Sequence, residues 1–418
     1  TNNLDHFLKS CTMICCNPNF LFFWVLLVAG IGYYVYKPFP EDAAEPWKQT
    51  FVSSMVRMIT LVSKIGATVG ISSKINITRF IVSSQKYLYR GNPNVTVWRE
   101  DFDGVTVRIS KPMTLDQNNL SPAIVYIHGG GWVVLDTDSY AHLTDTISLE
   151  SEVVVVSIEY RLAPEYMYPV PLDDCVKATK FFLKNAEQYG VDANWIGIAG
   201  DSAGGNLAMS VALRLSEELD SPKLAAQGLI YPVLQGINFL LPSYIQNSNG
   251  PAFITGDTMA EYFLSYMIGD WKYQSYFLTN NHTSPAIKQS EYARYVSHEL
   301  LPDEFKAILE DDYGDNYGDE VVSEKLERYL LDSNFAPLMA TDGALSKLPP
   351  TCLVTTNFDV LRDDGFLLEK RLKRMGREVT HQYYPGYEHG FLMHLAMYDG
   401  SLPAVQRFCK CMLNYIKS

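Results

Sequence analysis

Positive charge is in short supply in this sequence. Lys and Arg number 34 against 47 Asp and Glu, a formal net charge of −13. A nucleic-acid binder needs a basic face to meet phosphates, so that class of function is excluded. Cysteine is sparse too, at 7 in 418 residues. Cys175, Cys352, Cys409 and Cys411 are scattered with no metal-ligand spacing, so no metal is expected and their spacing proves no disulfide. Cys11, Cys15 and Cys16 cluster on a short N-terminal tail (1–19), where acylation and plain thiols are equally open readings. Internal repeats and low-complexity tracts are absent. The acidic stretch "EDDYGDNYGDE" (310–320) lacks the glycine and the bidentate glutamate of a calcium loop and reads as a solvated loop.

What is present is apolar mass. With 47% hydrophobic residues the chain can build a large core, as two ordinary domains or as one large α/β domain with additions. One segment departs from a globular composition. "FLFFWVLLVAGIGYYVY" (20–36) carries no charge, and Trp24, Tyr33, Tyr34 and Tyr36 suit a membrane interface. It is expected to be a single membrane anchor. Lys9 before it and Lys37 and Lys48 after it leave its orientation open by charge alone. Sequons at Asn76, Asn94 and Asn281 give weak support for a luminal domain.

Residues 41–90 repeat apolar positions at helical spacing, stop first at Gly70, and are expected to form helices that cap the domain. From Asn94 the period changes to alternation, with a hairpin expected at Asp103-Gly104. Short continuous apolar runs follow at 123–128, 153–160, 195–200, 226–233 and 351–358, separated by helical stretches such as 173–189 and 203–219. This pattern predicts an α/β fold, with a mostly parallel sheet buried on both faces and an antiparallel pair in front, over 94–418. A long insertion at about 237–330, rich in aromatics and Met, is expected to complete the cap.

Chemistry concentrates at "GIAGDSAGGNLA" (197–208). Gly200, Asp201, Ser202, Ala203 and Gly204 match G-x-S-x-G between a buried strand and a helix, where a strained turn exposes the serine. "HGGGW" follows another buried strand. His128 and Gly131 support that turn, and the N–H groups of Gly129 and Gly130, with that of Ala203 at a helix start, form the expected oxyanion hole. A base and an orienting acid should follow in chain order. His389 lies in a glycine-flanked loop, whereas His381 falls in a strand and His394 in a helical run. Asp359 is first out of its strand, and Asp363 and Asp364 are expected to cap the next helix. Ser202, Asp359 and His389 are therefore the candidate catalytic residues.

"HGGGW", "YRLAPE" (160–165), "GDSAGGNLA" (200–208), "DVLRDDG" (359–365) and "EHGF" (388–391) resemble the hormone-sensitive-lipase family of α/β-hydrolases, in particular its membrane-anchored arylacetamide deacetylase branch. The resemblance runs from the apolar segment to the C-terminus; Val360 stands where the family usually has Pro or Leu. It implies a serine hydrolase without metal or organic cofactor, acting on esters or amides of lipophilic molecules. It also implies a type II membrane protein of the endoplasmic reticulum with a luminal catalytic domain. Two alternatives stay open: a lipid-ester (acylglycerol or sterol ester) hydrolase, and a non-catalytic binder of an apolar ligand on the same fold.

Overall fold

The computed structural model describes residues 18–418 apart from 117, 219–222 and 307–316. Lys9, Cys11, Cys15, Cys16 and most of the acidic stretch 310–320 lie outside the described residues.

The change of period at Asn94 marks the start of the sheet. Its strands are β1 Val95–Asp101, β2 Thr106–Pro112, β3 Ser121–Ile127, β4 Val154–Ile158, β5 Val191–Asp201, β6 Ala226–Ile230, β7 Thr351–Phe358 and β8 Val379–Glu388. They form one eight-stranded sheet in the order β1-β2-β4-β3-β5-β6-β7-β8. The first two pair as the expected hairpin, with Asp103 (φ 57°) and Gly104 (φ 86°) supplying the left-handed turn. β2 joins β4 antiparallel, and every later pairing is parallel.

Continuous apolar runs are explained by burial on both sides. Along β3, Ala123, Val125 and Ile127 enter one core, while Ile124 and Tyr126 enter the other. Helices Val170–Asn185 and Ala203–Glu217 cover the first face with Leu172, Phe182, Leu207 and Val211. Helices Ala141–Ser151 and Ser401–Ile416 cover the second with Leu143, Ile147, Val405 and Phe408. A disulfide between Cys352 and Cys411 ties β7 to the last helix, a pairing that spacing alone did not reveal.

Residues 41–90 form helices Pro46–Thr68 and Lys74–Ser83 and a short 3-10 turn, Ser84–Tyr87. The insertion after β6 is a set of short helices, among them Gly256–Met267 and Glu320–Leu330. It lies over the "HGGGW" turn: the Tyr266 ring stacks on Trp132 at 4.6 Å, and Tyr262 fills the space beside Gly131. The apolar segment is helical over Pro18–Val35. Among the described residues, no helix is long and apolar enough to cross a membrane.

Candidate active site

β5, in the middle of the sheet, delivers Ser202 to its C-terminal end, and helix Ala203–Glu217 begins immediately after it. The serine backbone has φ 54° and ψ −122°, a conformation a non-glycine residue holds only when its surroundings impose it. Those surroundings are tight. A Cβ on Gly204 would fall on the Ile127 carbonyl, so only glycine lets the helix approach β3 this closely. The Ser202 N–H donates to the Ile230 carbonyl at 2.8 Å, and its own carbonyl accepts from Asn206 and Val233.

The loops after β7 and β8 bring the other two candidates to this elbow. His389 Nε2 is 2.9 Å from Ser202 Oγ, and His389 Nδ1 is 2.8 Å from Asp359 Oδ2. Asp359 Oδ1 accepts from the Leu361 N–H at 2.8 Å, which fixes the carboxylate's second oxygen toward the imidazole. The Tyr231 ring packs against His389 at 4.6 Å. Exposures of 8% for Ser202, 4% for His389 and 0% for Asp359 put this run of bonds in a low-dielectric setting, where each counts for more than in water.

The glycine turn differs from expectation at one residue. The N–H of Gly129 is already committed, to Asp201 Oδ1 at 3.1 Å and to the Tyr140 hydroxyl at 3.0 Å. It is an anchor of the turn and not a donor into the cavity. Among the described residues, nothing accepts from the N–H groups of Gly130, Gly131 or Ala203. Gly130 (φ 103°) has the positive φ that turns the chain at this point.

Asp201 is the partner that sequence reasoning undervalued. Its Oδ1 also accepts from the Tyr126 hydroxyl at 3.0 Å, and its Oδ2 from the Tyr140 hydroxyl at 2.7 Å. Burial pushes its carboxyl above the ordinary range, against the pull of the two phenols. His128 has the structural role expected of it: Nδ1 lies 2.8 Å from the Gly129 carbonyl, and its ring stacks on Tyr160 at 4.4 Å.

Asp363 and Asp364 do lie in the first turn of helix Arg362–Arg374, but they do not cap it. Asp363 accepts from the Ser243 N–H at 2.7 Å, and Asp364 from the Leu234 N–H at 2.8 Å. They pin the start of the insertion to the triad loop, and burial raises Asp364 to about 8. His381 is taken up by Thr355 and Glu369, and His394 directly follows a 3-10 turn, Phe391–Met393.

Next to His389, the buried Glu388 carboxylate accepts from Gln49 Nε2 and from the Tyr398 hydroxyl. Gln49 belongs to helix Pro46–Thr68, so the N-terminal segment reaches the histidine loop directly. Of the sequons, Asn76 and Asn94 are exposed, whereas Asn281 is half-buried and its Thr283 fully buried. Among the described residues, no group of three or more His, Cys, Asp or Glu is placed to hold a metal ion.

A parallel sheet with a strained serine elbow, and a histidine and acid delivered from later strands, defines the class: ester hydrolases of the α/β-hydrolase fold. A family model described as alpha/beta hydrolase fold matches residues 124–293 and 283–393. Neutral cholesterol ester hydrolase 1 of Bos taurus is 36% identical over 379 residues, covering 88% of this chain and 91% of that protein. Arylacetamide deacetylase of Oryctolagus cuniculus is 35% identical over 378 residues, covering 88% and 94%. Among solved structures, a Pyrobaculum calidifontis esterase superposes with a TM-score of 0.60 at 25% identity, over 82% of this chain and 91% of its own. The chain belongs to the hormone-sensitive-lipase-like family of α/β-hydrolases, and it is a carboxylic ester hydrolase.

Proposed function

We propose that the protein is a membrane-anchored serine hydrolase that cleaves esters or amides of lipophilic small molecules through an acyl-enzyme. His389 takes the proton of Ser202 as Oγ attacks the carbonyl carbon. Asp359 holds the imidazole in the tautomer that receives this proton and stabilises the cation that forms. The N–H groups of Gly130, Gly131 and Ala203 receive the oxyanion; losing one such donor typically costs about 2.7–4 kcal/mol of transition-state stabilisation. Collapse of the tetrahedral intermediate expels the alcohol or amine, protonated by His389, and water is then activated by the same base. The observation that carries this reading is the continuous Ser202–His389–Asp359 bonding at 2.9 and 2.8 Å on a strained elbow.

A long-chain or sterol ester substrate is the second reading. It is favoured by the similarity to neutral cholesterol ester hydrolase 1, at 36% identity, beside 35% to arylacetamide deacetylase. In the membrane-anchored reading the uncharged apolar segment 20–36 serves as a single type II anchor in the endoplasmic reticulum, with the catalytic domain luminal; its composition, with Trp24 and the Tyr33, Tyr34 and Tyr36 cluster, is what supports it. The Cys352–Cys411 disulfide supports an oxidising compartment for that domain.

The test is hydrolysis of an ester series from acetyl to palmitoyl by the full chain in detergent, beside Ser202→Ala. Rates that peak at short acyl chains and vanish in the variant support the deacetylase reading. A peak at long chains selects the lipid-ester reading. Turnover that survives in Ser202→Ala refutes the mechanism.

A further inference from the structure

Helix Pro46–Thr68 is built inside out. Its buried positions are Gln49, Thr50, Val52, Ser53, Ser63 and Gly66, which are mostly small or polar. Its outer face carries Trp47, Phe51, Met55, Met58, Val62 and Ile65 at three- and four-residue steps, each 38–71% exposed. Val69 and Ile71, at 67% and 75%, prolong the same stripe. Over 23 residues the helix is roughly 34 Å long. A monomer's largest apolar patch is ordinarily about 300–600 Å², and here eight large apolar side chains, each more than a third exposed, lie along one line.

Two further observations say what covers it. The first is charge. Between Glu45 and Glu100 there is no acidic residue, while eight Lys and Arg fall in the same interval of a chain whose net charge is −13. Lys48, Lys74, Arg79 and Arg99 are paired with carboxylates from elsewhere, and among the described residues Arg57, Lys64, Lys86 and Arg90 have no acidic partner. An apolar stripe on a locally cationic segment matches an anionic headgroup layer over acyl chains. A two-fold dimer through this face would instead oppose like charge to like. The second is tethering. Arg57 Nε donates to the Val35 carbonyl at 2.7 Å, and Ser54 Oγ to the same oxygen at 3.4 Å. The C-terminal end of the apolar helix Pro18–Val35 is thereby held beside the middle of the stripe.

We infer that the outer face of helix Pro46–Thr68 lies in the headgroup–acyl boundary of a phospholipid bilayer. The helix is a second, in-plane contact beside the anchor, and the inference rests on the anchor reading. It seats the catalytic domain in one orientation on the membrane, because the same helix is bonded through Gln49 to the histidine loop.

The experiment uses the full chain in vesicles of phosphatidylcholine and phosphatidylserine, with Cys11, Cys15 and Cys16 replaced by serine. Spin labels are placed one at a time at Phe51→Cys, Met55→Cys, Ile65→Cys and, as a solvent control, Glu187→Cys. Labels at the first three should relax with dissolved oxygen and resist a water-soluble nickel chelate, and the control should do the reverse. Labels open to the chelate, or shielded from both relaxants as in a protein contact, overturn the inference. Flotation separates the two readings. A chain that floats after alkaline carbonate while its stripe stays in water refutes this inference alone. A chain stripped by carbonate that shows the oxygen pattern at neutral pH refutes the anchor alone. A chain that never floats refutes both.

Discussion

Asp201 is the residue on which the glycine turn hangs, and replacing it by alanine tests that role. The side chain is 2% exposed and accepts from Tyr126, Tyr140 and the Gly129 N–H at 2.7–3.1 Å. In Asp201→Ala both phenols lose their acceptor inside the core. Stranding a buried polar group costs about 1–3 kcal/mol, and the relief of a buried carboxyl returns part of it, so a net loss of about 3 kcal/mol is expected. Asp201→Asn keeps the Oδ1 acceptor and mismatches only Tyr140, so about 1–2 kcal/mol is expected. Because the Gly129 N–H loses one of its two acceptors, the turn should also loosen, with kcat falling by up to about 10²–10³-fold as a donor to the oxyanion is misplaced. Denaturant unfolding of the parent and both variants, with kcat for an acetyl ester, reads both effects. An alanine variant within about 0.5 kcal/mol of the parent with unchanged kcat would refute the reasoning.

Three further outcomes are expected. Arg108 and Asp145 form a buried pair at 2.8 Å, joined by Ser110 at 2.7 Å, so Asp145→Ala should cost about 3–5 kcal/mol in thermal unfolding. The double change Arg108→Met with Asp145→Leu should recover most of that loss. The Cys352–Cys411 bond spans 59 residues, and in the chain-entropy account Cys352→Ala with Cys411→Ala should cost about 4 kcal/mol. Melting temperatures check it, and a change below 1 °C would rule the account out. Glu369 is pushed up by burial but pulled further down by His381 and Lys373, from 4.5 to about 2. Its folded value lies below its unfolded one, so its contribution is present above about pH 4.5 and is lost as pH falls toward 2. Glu369→Gln should flatten acid unfolding in that window, as followed by circular dichroism.

Local chemistry explains what was legible in the sequence. Uniform apolar runs located β3, β4, β6 and β7 because a strand buried on both faces has no polar side to display. The elbow was legible because a strained serine demands small neighbours, and Asp359 because it is the first residue after β7. The rest depends on partners distant in the chain. Whether the Gly129 N–H is spent or free is decided by a carboxylate 72 residues away, which no local pattern encodes. Asp363 and Asp364 had the position of caps, but Ser243 and Leu234 claimed their oxygens. Periodicity placed an apolar stripe on helix Pro46–Thr68 without saying which side of the helix meets protein.

The seam between that helix and the histidine loop also decides where this enzyme can be cut. Glu45 accepts from the Tyr387 hydroxyl at 2.9 Å and from the N–H groups of Asp399 and Gly400, and Lys48 bridges Glu45 and Asp399. The Phe39 ring meets Phe358 edge-on at 5.3 Å, one residue before Asp359. A recombinant fragment started at the first strand would uncover the Glu388 carboxylate and strip one wall from the triad loop. The smallest catalytic piece for expression therefore begins upstream of Phe39, and a library of truncations should show activity ending there, well before the sheet is reached.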